Sequence, residues 1–199
     1  MIQQEKFVNI KKNIKKELEK ERYQHTLSVA YTASCLAMRW DADMDSAYIA
    51  GLLHDCAKNI PEEERIKLCG KWGLPVNDSE RKNPTLLHAK MGAYLAREKY
   101  DIRDPEVLSA IEYHTTGRPD MSMLEKIIFV ADYIEPYRTK AENLDIIRKE
   151  AFTDIDRAVL RISGDTYRYL LYKSPDNIDP MTEEVFNWYR KHCDGADGE

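Results

Sequence analysis

The sequence has no surplus of positive charge, no paired cysteine motif and no long apolar run, and each absence removes a class of function. Thirty Lys and Arg stand against 35 Asp and Glu, a formal net charge of -5. A nucleic-acid groove, which needs an excess of cations, is therefore not expected, and any anionic ligand must meet a local positive field. The four cysteines, Cys35, Cys56, Cys69 and Cys193, form no C-x-x-C pair, and no signal peptide precedes them. Reduced thiols in a cytoplasmic protein are expected. Residues 1–21 carry too many charges for a secretory segment, and the longest strongly apolar stretch, Ile127 to Ala131, is too short to cross a bilayer, so no membrane segment is expected. No stretch alternates with period two, no turn signal separates β-rich runs, and there is no internal repeat or low-complexity segment.

What the chain does have is helical periodicity and enough apolar content, 43% of 199 residues, for one core. Phe7, Ile10, Ile14 and Leu18 recur at intervals of three and four, a stripe on an otherwise Lys/Glu-rich helix. A second helix spans about 22–40, with His25 near its start. Asp43 or Asp45 caps the next, which ends at His54-Asp55. Pro61 and Gly73 bracket a helix with an acidic first turn. Further starts are Pro84, Asp104-Pro105, the capping box Ser122-Met-Leu-Glu125, Thr153 to Asp156, and Thr182-Glu183. Loops are expected at 74–83, 115–121 and 174–181. The expected fold is all-α: a single-domain helical bundle with an added N-terminal helix (1–21), a core (22–138), C-terminal helices (139–193) and a disordered tail (194–199).

The most informative residues are His54 and Asp55, an imidazole and a carboxylate side by side where an apolar helix ends. Each ligates divalent metal, and neither is comfortable in an apolar helix without a partner. Four of the five histidines, His25, His54, His88 and His114, fall at helix starts or ends. Asp132 interrupts an apolar helix, so it should be paired, protonated or bound to metal; a salt bridge to Arg138 is the plain alternative. One cation would satisfy His25, His54, Asp55 and Asp132 together.

The order His25, His54-Asp55, Asp132 resembles the signature of the HD-domain metal-dependent phosphohydrolases. Over nearly its whole length the chain is similar to the bacterial YqeK family, through Arg22 to Ser28, Gly51 to Lys58, Leu87 to Ala89, His114 to Met121 and Leu124 to Arg138. That resemblance implies an HD-type bundle and a symmetrical bis(5'-nucleosyl)-tetraphosphatase, splitting diadenosine tetraphosphate into two ADP. It implies iron as the bound metal, with His25, His54, Asp55 and Asp132 as its ligands, and His88 and His114 facing the nucleotide phosphates.

The chemistry agrees. Two imidazoles and two carboxylates suit iron or manganese, or another divalent metal, better than a thiolate-rich structural zinc site. The expected reaction is attack of metal-bound hydroxide on an inner phosphorus. Asp55, His114 and Lys58 are the expected catalytic residues, Asp55 orienting or deprotonating the water and His114 protonating the leaving group. Ser28, His88, His114, Arg118 and Arg138 are expected substrate contacts, the arginines binding phosphate bidentately. His88 and His114 alternatively bind a second metal. Other readings are a different HD-type phosphohydrolase, acting on a nucleoside monophosphate or guanosine tetraphosphate, and a non-catalytic metal-stabilised partner protein linked to NAD metabolism. The expected partners are the nucleotide substrate and its nucleoside diphosphate product; aromatic content suggests a homodimer.

Overall fold

Local sequence sets where each helix begins. The computed structural model describes residues 2–175 and 178–194. Among them every regular element is helical: α1 (Ile2–Glu17), α2 (Lys20–Arg39), α3 (Met44–Leu53), α4 (Glu62–Trp72), α5 (Asp78–Lys82), a 3-10 turn (Pro84–Leu86), α6 (Leu87–Tyr100), α7 (Pro105–Tyr113), α8 (Met123–Ile134), α9 (Leu144–Thr153), α10 (Ile155–Lys173) and α11 (Pro180–Asp194). Asp43, rather than Asp45, caps α3 by accepting from the Ser46 N–H at 2.7 Å. Asp104 caps α7 with Pro105 in the first turn, and Ser122 and Glu125 form the reciprocal capping box that starts α8. Gly73 ends α4 at φ +70°, a left-handed conformation that costs glycine little.

Three segments differ from expectation. The loop at 74–83 contains α5, nucleated by a second capping box between Asn77 and Glu80. A separate helix, α9, precedes the expected Thr153–Asp156 start, entered through Asn143 at φ +56°. Helix α11 starts at Pro180, two residues before Thr182, where Asp179 accepts from the Met181 N–H at 2.9 Å. Of the expected disordered tail, Asp194 ends α11, and 195–199 lie outside the described residues.

One continuous apolar cluster runs from Ile10 and Ile14 on α1 and Leu18 just after it, through Ile127, Ile128, Val130 and Ala131 on α8, to Val185 and Tyr189 on α11. Each fully buried aliphatic side chain contributes about 1.5–3 kcal/mol before ordering costs, so Ile10, Ile14 and Leu18 suffice to dock a helix that is otherwise charged. Helices α2 and α3 approach most closely: a Cβ on Gly51 would lie 2.6 Å from Ala30 Cα. That contact fixes α3, and the residues at its end, against the middle of α2. No helix among the described residues is long and apolar enough to cross a membrane.

Candidate active site

Five helix ends meet at one point. His25 stands in the first turns of α2, His54 caps the C-terminus of α3 with Asp55 after it, His88 opens α6, His114 caps the C-terminus of α7, and Asp132 lies in the last turn of α8. The structure brings these six side chains together. His25 Nε2 lies 3.0 Å from Asp132 Oδ1 and 4.0 Å from Asp55 Oδ2. His54 Nε2 lies 3.6 Å from Asp55 Oδ2 and 3.9 Å from Asp132 Oδ1. On the other side, Asp55 Oδ1 lies 3.4 Å from His88 Nε2 and 3.7 Å from His114 Nε2. Asp55 thus turns one oxygen toward each half of the cluster.

Backbone carbonyls dictate which nitrogen each ring presents. His54 Nδ1 donates to Gly51 O at 2.7 Å, His114 Nδ1 to Ile111 O at 2.7 Å, and His88 Nδ1 to Thr85 O. With that proton committed, the neutral ring must offer its Nε2 lone pair to the interior. Burial pushes the His54 imidazolium down to about 4. Burial, then neighbouring His114 and Lys58, push that of His88 to about 3, so both are neutral at pH 7. His25 differs: burial opposes its charge, but the Asp132 and Glu135 carboxylates outweigh it and raise its pKa. Burial also works against the Asp55 charge, yet His54, His114 and Lys58 hold its carboxyl well below the usual range.

His25 Nε2, His54 Nε2 and Asp55 Oδ1 are buried and make no hydrogen bond. Such orphans carry a desolvation cost that a cation would remove, and neutral imidazoles with ionised carboxylates are the forms metals bind. Three sets, His25/His54/Asp55, His54/His114/Asp132 and Asp55/His88/His114, each have ligand atoms within 4.8 Å of one another. The donor set is able to hold a divalent metal ion.

Cations ring the cluster. Lys58 Nζ reaches His88 Nε2 at 3.0 Å and Asp55 Oδ1 at 3.7 Å, and Arg138 pairs with Asp132 Oδ1 at 3.1 Å. The expected salt bridge of Asp132 to Arg138 is thus present, on a carboxylate that also faces His25 and His54. Arg118 does not join: its Nε donates to the buried Glu125 at 2.8 Å. Ser28, one turn beyond His25, lines a neighbouring cleft instead. Expected donation from His88 to phosphate would need an imidazolium that burial opposes; Lys58 is the better donor.

Sequence reasoning passed over three residues. Arg22 Nη1 donates to Asp55 Oδ2 at 2.8 Å. Glu135 Oε1 faces His25 Nδ1 at 3.3 Å, while its Oε2 accepts from the Tyr137 N–H at 2.8 Å. Thr115 Oγ1 lies 3.2 and 3.1 Å from His88 and His114 Nε2. Arg22 precedes His25, and Glu135 follows Asp132, by three residues, the one-turn spacing that puts side chains on one helix face. That spacing was the available signal.

The HD-domain family model matches residues 22–137. The chain is 41% identical over 175 residues to a symmetrical bis(5'-nucleosyl)-tetraphosphatase of Bacillus subtilis, covering 88% of this chain and 92% of that one. It is 39% identical to the enzyme of that description from Staphylococcus aureus, over 90% of this chain and 92% of that one. A crystal structure from Clostridium acetobutylicum, described as an HD-superfamily hydrolase involved in NAD metabolism, is similar at 40% identity. It gives a TM-score of 0.89 over 94% of this chain and 97% of that one.

Proposed function

Because the chain belongs to the HD-domain family, and within it to the family of the symmetrical bis(5'-nucleosyl)-tetraphosphatases, we propose that it cuts diadenosine tetraphosphate and related dinucleotides into two nucleoside diphosphates. The observation that carries this reading is the set of buried, unpartnered donor atoms at His25, His54 and Asp55, ringed by Arg22, Lys58 and Arg138.

His25, His54, Asp55 and Asp132 would hold the metal, a nitrogen–oxygen set suited to iron or manganese. A divalent ion there would polarise a phosphoryl oxygen and acidify water, the two things hydrolysis of an anhydride needs. The chain's own residues do the rest. Asp55, held ionised, keeps Oδ1 free to orient the attacking water and take its proton. Arg22, Lys58 and Arg138 neutralise phosphate oxygens, and Lys58, whose pKa burial lowers, gives a proton to the leaving diphosphate. His88, His114 and Thr115 form the polar wall opposite, where His114, its Nδ1 proton held by Ile111 O, turns inward an Nε2 lone pair that can accept a proton but has none to give. Glu135 orients His25, and Ser28 stands where the substrate chain leaves the centre. Arg118, tied to Glu125, steadies the loop after His114. The partners this requires are small nucleotides in the cytoplasm, with neither nucleic acid nor membrane.

The test is product analysis. Protein loaded anaerobically with Fe(II), or with Mn(II), is incubated with diadenosine tetraphosphate and the products are separated by anion exchange. ADP alone is expected. ATP with AMP overturns the symmetrical cut, and no turnover with either metal overturns the hydrolase. The description of the Clostridium acetobutylicum structure favours a second reading, a different nucleotide phosphohydrolase connected with NAD metabolism. Nucleoside monophosphates and guanosine tetraphosphate run beside the dinucleotide separate it.

A further inference from the structure

The seam between α10 and α11 carries arginine where a helix pair ordinarily carries leucine. Arg157, Arg161, Gly164 and Arg168 recur on α10 at intervals of four, three and four, and Phe186, Arg190 and Cys193 on α11 at four and three. That spacing is the stripe by which one helix faces another. In this protein it lines a hollow of about 310 Å³, at the lower end of small-molecule pockets, with Glu150 of α9 in its wall. Four guanidiniums and one carboxylate surround the hollow, in a chain whose formal net charge is -5. None of its lining residues belongs to the His/Asp cluster.

The floor requires a glycine. A Cβ on Gly164 would lie 3.0 Å from Phe186 Cε2 and 3.4 Å from Arg168 Nη1, so a larger residue would push both aside. Phe186 already carries the Tyr167 ring at 5.8 Å and the Arg190 guanidinium at 5.3 Å, which leaves it a poor platform for a flat ligand. The hollow's resource is therefore charge. Arg161 grips Glu150 with two N–H groups at 2.7 and 2.5 Å, Arg168 donates to the buried Asp165, and Arg190 donates to Asn187 at 3.1 Å. A guanidinium has five N–H donors, and each of these acceptors occupies one or two of them. The partners fix where the arginines stand and leave donors over for an anion bound between them.

We propose that this hollow binds the phosphate chain of a condensed phosphate or a nucleotide, at a site separate from the cluster, and that the bound anion ties α11 to α10. Guanidinium forks match phosphate oxygens two at a time. From Arg157 to Arg168 the α10 row extends about 16 Å along the helix axis, so a chain of two or more phosphates engages arginines of both helices where a single small anion would reach fewer. The tie has a place to act. On the neighbouring face of α11, Val185 stands 3.4 Å from where a Gly117 Cβ would lie, and Tyr189 Oη accepts from the Met121 N–H at 3.2 Å. Those contacts hold the loop that follows His114 and carries Thr115. An anion that pins α11 thereby steadies that loop.

The test uses the metal-loaded, full-length protein and imidodiphosphate, whose P–N–P bridge resists hydrolysis. Calorimetry counts the molecules bound per chain. Arg190→Glu, at a residue paired with an amide rather than a carboxylate, is expected to bind one fewer than wild type. Arg168→Gln is expected to weaken that same molecule about 10-fold or more, the scale of one charge-assisted hydrogen bond. Arg103→Glu makes the same change of net charge at an exposed site beside Asp101, and should alter neither number nor affinity. Turnover without added anion stays at the wild-type level in all three. In hydrogen exchange, the slowing of residues 115–121 by the anion should shrink in Arg190→Glu. An Arg190→Glu protein that binds as many as wild type, or an Arg103→Glu protein weakened as much as Arg168→Gln, overturns the site; equal slowing of 115–121 in wild type and Arg190→Glu overturns the tie. Competition with ADP distinguishes the two sources: ADP displaces the molecule that depends on Arg190 if a nucleotide's phosphates belong there, and leaves it in place if a free condensed phosphate does. Either result keeps the hollow as a phosphate site.

Discussion

Replacing Gly51 with Ala tests how the fold holds the cluster. The added Cβ would sit 2.6 Å from Ala30 Cα, 3.0 Å from its N and 3.3 Å from its Cβ. Carbon atoms prefer about 3.5–4.0 Å, so α3 must retreat from α2 by about 1 Å. Overpacking costs roughly 1–3 kcal/mol, and a backbone neighbour that cannot rotate away puts this case at the upper end. Against that, Ala in a helix interior gains roughly 0.5–1 kcal/mol over Gly. The net loss is about 2 kcal/mol, or about 4–8 °C in Tm for a chain of this size. Activity should suffer more than stability. Gly51 O holds His54 Nδ1 at 2.7 Å, so the shift is carried to the cluster, where ~1 Å of misplacement costs on the order of 100-fold in rate. Gly70, in α4, is the control, because a Cβ there meets nothing within 4 Å. Gly70→Ala should leave turnover intact and raise stability slightly. Urea unfolding and turnover of both variants decide the matter, and a Gly51→Ala protein as stable and active as wild type refutes the close-approach argument.

Three further outcomes are expected. Glu135→Gln keeps the side-chain shape but removes the charge facing His25, so metal affinity falls about 10–100-fold at nearly unchanged urea midpoint; competition with a chromophoric chelator reads it, and unchanged affinity contradicts the role. Stripping metal with a chelator removes ligand-linked stability of about 2.7 kcal/mol at 100 times the Kd, about 5–11 °C in Tm, which re-addition restores; a Tm indifferent to metal argues against a site at the cluster. Iodoacetamide at pH 8 should modify exposed Cys35 and spare Cys56, because burial pushes the Cys56 thiol up to about 12 and leaves roughly one thiolate in 10,000. Mass spectrometry of the folded protein showing alkylated Cys56 would break that reasoning.

The helices with strong end signals were legible in the sequence: Ser122/Glu125, Asp104-Pro105 and Gly73 all act where their chemistry requires. Helix α5 was hidden because its residues are polar throughout, and only the Asn77/Glu80 spacing betrays it. The six converging side chains could be named because four imidazoles and two carboxylates within or at the ends of helices stand out. Arg22 and Glu135 were passed over despite their one-turn spacing from His25 and Asp132, since a cation in Lys20-Glu21-Arg22 and an acid before Pro136 read as solvated ends. What reveals them is tertiary: Asp55 draws in the guanidinium from 33 positions away, and Glu135 meets His25 across 110. Arg118 illustrates the converse. Its loop looked suited to phosphate, but the carboxylate that captures it also caps α8.

Three imidazoles, at 54, 88 and 114, are each tethered to a main-chain oxygen three positions upstream. Their tilt is consequently dictated by helix geometry before any ion arrives, so capture proceeds without rearrangement, and crystals of chelated and loaded protein should superpose at these rings. A rigid gauge of this kind weighs cations by radius. Selectivity is then inherited from the scaffold as well as from the donor atoms, and it should survive exchange of any side chain that supplies neither a donor nor a tether.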